Sequence, residues 1–297
     1  MKLWDKGFST DKKIDLFTVG NDRELDLILA KYDVIGNLAH SKMLCKIGLL
    51  TKDEMSALDK ELQAILKTIE AGKFAIEDSF EDVHSKVEYL LTQKLGDTGK
   101  KIHTARSRND QVLVDVHLYL KDALNEINAE VDDLFDLLIS LAEQYKNILL
   151  PGYTHLQVAM PSSFGMWFSA YAETLIDDIY FLKAAYKVAN QNPLGSAAGY
   201  GSSFPIDRDE ATKLFHFETF SRICTAPKFC DMQAIVANLR STRFYRQLCP
   251  DTAKFVSRPF SATIDKDLSL VTSNKRKGNM RPDIKMIAIT GAVIPAV

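Results

Sequence analysis

The feature that most limits how this chain can fold is an apolar series, Leu113, Val116, Leu120, Leu124, Ile127, Val131, Leu134, Leu138, Leu141 and Tyr145. It advances by threes and fours without a break, with charged residues between, which predicts one helix about 50 Å long at roughly 1.5 Å per residue. Asn147 and Pro151-Gly152 mark its end, and Pro161 announces a second helix carrying Phe164, Phe168, Tyr171, Leu175, Ile179, Leu182 and Tyr186. Long helices with a short connection pack antiparallel, and stripes of this length are buried in a bundle or against other subunits. An all-α oligomer is therefore expected. A further stripe, Met55, Leu58, Leu62, Ile65 and Ile69, follows Thr51-Lys52-Asp53-Glu54, which has the spacing of a capping box. The expected organisation is a small N-terminal helical domain over 1–105 and a long-helix bundle domain over 106–217.

Composition excludes several classes. The 297 residues allow about two domains, and 46% hydrophobic with 26% charged residues is ordinary for a soluble globular protein. No apolar run approaches the roughly 18 residues of a membrane span. The net charge of −2 gives no whole-chain reason to expect nucleic acid. Met1-Lys2-Leu3-Trp4-Asp5-Lys6 has no apolar export signal, and four cysteines without paired spacing suit a reducing cytoplasm. No HExxH, CxxC, GxSxG or helical Glu-x-x-His pattern is present, so a metal site is not expected.

The chain changes character near Phe217. No proline lies in 1–150, whereas five of the nine lie after Phe217. Residues 218–297 hold 13 Lys+Arg against 6 Asp+Glu, net +7, leaving 24 against 33, net −9, in 1–217. Such a step fits a divergent basic tail, a domain boundary or a shifted reading frame.

Chemistry is expected where polar residues crowd the ends of the helices. Asp82 and His84, two apart in Glu81-Asp82-Val83-His84, can converge on a ligand only at a turn before a helix. Ser107, Arg108, Asn109 and Asp110 precede the long helix, in a nine-residue stretch from His103 to Gln111 with eight polar side chains. They suit either a helix cap or a carboxylate or phosphate site, since the helix dipole and arginine both favour anions. His155, beside Thr154 and near Gln157 in the turn Pro151–Gln157, is placed for proton transfer. The small-residue loop Asn192–Ser203 fits neither a dinucleotide nor a Walker pattern, although its N–H groups suit an oxyanion.

Glu81-Asp82-Val83-His84, then His103 to Gln111, then Leu150 to Gln157, then Pro193-Leu194-Gly195-Ser196 resemble the argininosuccinate lyase family of the fumarase/aspartase superfamily, from about residue 3 to about 217. The resemblance implies an all-helical homotetramer with active sites shared between subunits. It implies cleavage of argininosuccinate to arginine and fumarate in arginine biosynthesis, with no metal or organic cofactor, no nucleic acid and no membrane. His155 matches the catalytic histidine; Ser9, Asn109 and Thr154 match substrate contacts; Asp82, His84, Ser107, Arg108 and Gln157 fall in the same motifs. The family's Gly-Ser-Ser-x-Met-Pro-x-Lys-x-Asn-Pro loop, which carries a catalytic serine, does not occur in this sequence. That departure leaves turnover by this chain open beside a non-catalytic helical scaffold or another fumarate-releasing lyase of the superfamily.

Overall fold

The computed structural model describes residue 20, residues 22–198 and residues 200–221. Ser9 and all of the basic tail after Ser221 lie outside the described residues. In chain order the elements are α1 (Asp22–Lys46), α2 (Lys52–Glu70), α3 (Val83–Leu95), α4 (Asp97–Lys100) running into a 3-10 turn at Lys101–His103, α5 (Arg108–Tyr145), β1 (Leu149–Thr154), β2 (Gln157–Ser163), α6 (Phe164–Ala189), β3 (Gln191–Asn192), α7 (Arg208–Leu214) and β4 (Thr219–Phe220). Helices dominate and the strands form two small pairs, so the class is all-α. Two compact units divide the described residues, 20–121 with 188–221 in one and 122–187 in the other.

In the first unit the Thr51 capping box forms as the spacing predicts. Glu54 N–H donates to Thr51 Oγ1 at 3.2 Å, and Thr51 N–H donates to Glu54 Oε2 at 3.0 Å. Such a cap is worth about 1 kcal/mol. It starts α2 in the phase that buries Leu58, Leu62 and Ile65 against Val34 and Leu38 of α1, Val83, Val87 and Leu91 of α3, and Val114 and Leu118 of α5. Gly99 lets α4 lie on α3, because a Cβ there would stand 2.5 Å from the Leu91 carbonyl. The inward side of α1 is not wholly apolar: Asp33, Asn37, His40 and Ser41 are all buried.

In the second unit, Val131, Leu134 and Leu138 of α5 interlock with Ala172 and Leu175 of α6. Tyr145 at the end of α5 lies 6.3 Å, ring to ring, from Phe168 in the opening turns of α6, so the two helices run antiparallel. The connection expected as a simple turn is instead an antiparallel hairpin of β1 and β2, and α6 begins at Phe164, three residues later than Pro161 suggested. Two prolines argue against strands in a sequence, since each removes a ladder donor. Here Pro151 and Pro161 are register partners, so both missing N–H groups fall at one rung. His155 (φ 47°) and Leu156 (φ 64°) close the hairpin with two positive φ angles, which suits the strand twist and is usually left to Asn-Gly. No helix among the described residues is long and apolar enough to cross a membrane.

Candidate active site

The first unit brings two helix N-termini together. Asp82 caps α3, its Oδ1 accepting from Ser85 N–H at 2.8 Å. Ser107 precedes α5, with Asn109 N–H donating to Ser107 Oγ at 3.3 Å and Ser107 N–H donating to Asp110 Oδ1 at 2.9 Å. Arg108 spans the two helix starts, pairing with Asp82 and donating from Nη2 to Ser85 Oγ at 3.1 Å. Of the sequence candidates, Asp82, Ser107, Arg108 and Asn109 are thus gathered, and Asn109 faces solvent. Two dipole ends and a guanidinium side by side favour an anion, and in this structure the Asp82 carboxylate fills that role.

His84 lies in the same turn but points inward, only 6% exposed. Its Nδ1 donates to Asp33 Oδ1 at 2.8 Å and stands 3.7 Å from Asp115 Oδ2. Burial alone would lower the imidazole pKa; the charge and hydrogen bond of Asp33, with Asp115 and Asp26 beyond, outweigh it and hold His84 at about 9. Burial likewise raises Asp33, but the charge and hydrogen bond of His84, with Arg106 and Gln111, bring it below the usual carboxylate range. Asp115 goes the other way, pushed well above that range by burial and by the charge of Asp33. Neither oxygen of Asp115 has a hydrogen-bond partner among the described residues.

Asp33, Asn37 and Asp115 were missed from sequence, while Arg106 and Gln111 were legible only as members of the polar stretch from His103 to Gln111. The available signal was spacing: Asp33, Asn37, His40 and Ser41 repeat at helical intervals on one face of α1, as Gln111 and Asp115 do on α5.

Asp33, His84 and Asp115 each offer an atom within 4.8 Å of the others, the geometry of a metal site. The chemistry argues against one. The His84 Nδ1 that would bind a cation already donates to Asp33, and His84 and Arg106 supply the positive charge the carboxylates need.

Two backbone donors of the Asn192–Ser203 loop are taken up within the protein. Gly195 N–H and Ala197 N–H donate to Asp110 Oδ2 at 3.0 and 2.7 Å, so this nest holds an internal carboxylate. Gly195 takes φ +100°, with the Arg208 side chain 2.9 Å from where its Cβ would be.

Thr154, His155 and Gln157 lie in the second unit, at the hairpin tip, all exposed. The left-handed backbone at His155 sets its side chain on the turn itself, outside the ladder.

The sequence pattern of the family described as "Lyase" matches residues 8–242. The chain belongs to this lyase family. Among its relatives, the argininosuccinate lyase of Phocaeicola vulgatus is 60% identical over 218 residues, 73% of this chain and 49% of the relative. That of Parabacteroides distasonis is 58% identical over the same share of each. The argininosuccinate lyase of Stenotrophomonas maltophilia is 36% identical over 266 residues, 87% of this chain and 61% of the relative. The chain spans about half the length of the first two relatives. Among solved structures, EDDS lyase in complex with formate superposes with a TM-score of 0.63 at 21% identity, covering 84% of this chain and 51% of that one. An EDDS lyase variant with bound fumarate gives 0.61 at 22%, covering 80% and 48%. At these identities the structural likeness establishes the fold of the lyase family and nothing finer. The lyase family match extends beyond the charge and proline step at Phe217.

Proposed function

We propose that this chain carries the recognition and proton-transfer segments for cleaving argininosuccinate to arginine and fumarate. The reading is carried by the identity to argininosuccinate lyases, within a family match that takes in Ser9, Asp82, His84, Ser107, Arg108, Asn109, Thr154, His155 and Gln157. In an anti elimination a base removes a carbon-bound proton, and donors stabilise the aci-carboxylate that forms. An acid then protonates the departing guanidinium nitrogen. Arg108, backed by the starts of α3 and α5, supplies positive potential for a carboxylate. Asn109, Ser107, Thr154 and Gln157 supply neutral donors, and His155 moves the proton at the leaving nitrogen. Acid/base chemistry of this kind needs no cofactor.

The working unit in this reading is a cytoplasmic homotetramer with sites shared between copies. Supporting it, Leu149 is 79% exposed, Leu156 80% and Val158 69% on the hairpin, and Met166 64% and Tyr180 68% on α6. Apolar exposure on that scale marks an association surface.

The Gly-Ser-Ser-x-Met-Pro motif is absent from the sequence, and the alternative to the lyase reading is a helical scaffold of the same fold, oligomeric and without turnover. The two separate in a fumarate-release assay. Release from argininosuccinate that His155→Ala abolishes supports the lyase; stable oligomers with no release support the scaffold.

A further inference from the structure

Three buried donors from three elements converge on one carboxylate. Asp33 of α1 is fully buried. Its Oδ1 accepts from His84 Nδ1 of α3 at 2.8 Å and from Gln111 Nε2 of α5 at 2.6 Å; its Oδ2 accepts from Asn37 Nδ2 at 3.0 Å. The Asn37 amide is itself oriented, because its Oδ1 accepts from Arg106 Nη2. The segment from Arg106 to Gln111, which leads into the first turn of α5 and presents Arg108 and Asn109, is therefore tied at both ends to Asp33, directly through Gln111 and through Asn37 at Arg106.

We propose that Asp33 is a positioning residue of the candidate active site, its carboxylate fixing the Arg106–Gln111 segment at the start of α5 against the start of α3. This rests on the lyase reading for its functional meaning, though the positioning itself is a property of the fold. Every bond Asp33 makes is one it accepts, so it has no use for a proton. Asparagine at this position has the same shape but would set an amide N–H₂ against either the Asn37 amide or the two donors on the other side. Asn37 cannot turn over to relieve this without losing Arg106. The neighbouring Asp115 is equally buried and accepts no hydrogen bond from the described residues, so burial of a carboxylate does not by itself confer this role.

The test is Asp33→Asn in the full chain, with the His84 imidazole followed by NMR titration (assigned by its loss in His84→Gln) and amide exchange followed along the backbone. The His84 midpoint is expected to fall by more than about one pH unit. Exchange over residues 104–111 is expected to rise at least about tenfold while α2 changes by less than about twofold. An unmoved His84 midpoint, or a rise in α2 equal to that over 104–111, overturns the proposal. Should Asp33→Asn not fold, Gln111→Leu decides the matter: it removes one donor, and unchanged exchange over 104–111 is a contrary result. Fumarate, as the binding probe, should bind Asp33→Asn at least about tenfold more weakly than the parent, and equal affinity in the two refutes the inference. A parent chain that does not bind fumarate defeats the lyase reading, while the titration and the exchange still decide the role of Asp33.

Discussion

Stability of the first unit should depend on pH in two opposite directions, through two buried histidines, His40 of α1 and His84 of α3. His84 is held at about 9 against an ordinary 6.5. Its folded pKa is raised, so its contribution is complete below pH 6.5 and is lost as pH rises through about 9. The difference corresponds to about 3 kcal/mol at roughly 1.4 kcal/mol per pH unit. His40 behaves in reverse. Its Nε2 donates to the Thr104 carbonyl at 2.9 Å and its Nδ1 has no partner among the described residues, so the neutral ring is the one that fits. Burial, with the charge of Arg106 added, lowers it to about 3. Its contribution is complete above pH 6.5 and is lost as pH falls toward 3, by up to about 5 kcal/mol. Urea unfolding followed by circular dichroism from about pH 5 to about pH 9.5 should peak near pH 6.5 and decline on both sides. His84→Gln should flatten the alkaline limb and His40→Gln the acid limb. An alkaline decline that survives intact in His84→Gln would refute the assignment of charge to that ring.

Three further outcomes follow from local geometry. Asp115→Asn should leave the melting temperature at pH 8 equal or higher, because burial and the charge of Asp33 both work against an ionised carboxyl there and the amide is its uncharged isostere; a fall of several degrees would contradict this. Gly99→Ala should destabilise by about 1–3 kcal/mol in urea titrations, since a Cβ there meets the Leu91 and Thr92 backbone, which cannot give way as a side chain would. Asp110→Ala strands the N–H groups of Ser107, Gly195 and Ala197 at about 1–3 kcal/mol each when buried. Limited proteolysis should then cut near residues 195–201 at least about tenfold faster, and an unchanged cutting rate would show that the loop does not depend on this carboxylate.

The helices α2, α5 and α6 were legible because their signals are local. The stripe from Leu113 to Tyr145 and the Thr51 capping box need only neighbours three and four residues away, and both form as read. The hairpin was not legible, because Pro151 and Pro161 speak against strands until the register sets them opposite each other. At the candidate site, Ser107, Arg108 and Asn109 stood out by their polarity and by their place at the start of the long helix. Asp33, Asn37 and Asp115 did not, because each looks like an ordinary surface residue until helices distant in sequence pack around it. His84 illustrates the limit: its motif was visible, whereas its inward turn toward Asp33 depends on α1, 51 residues away.

The measurement that bears most directly on the account is fumarate release from argininosuccinate by the purified chain, read beside His155→Ala at the same concentration. The account predicts release above the substrate blank that disappears in the variant. No release from the parent chain, or equal release from both, would contradict it.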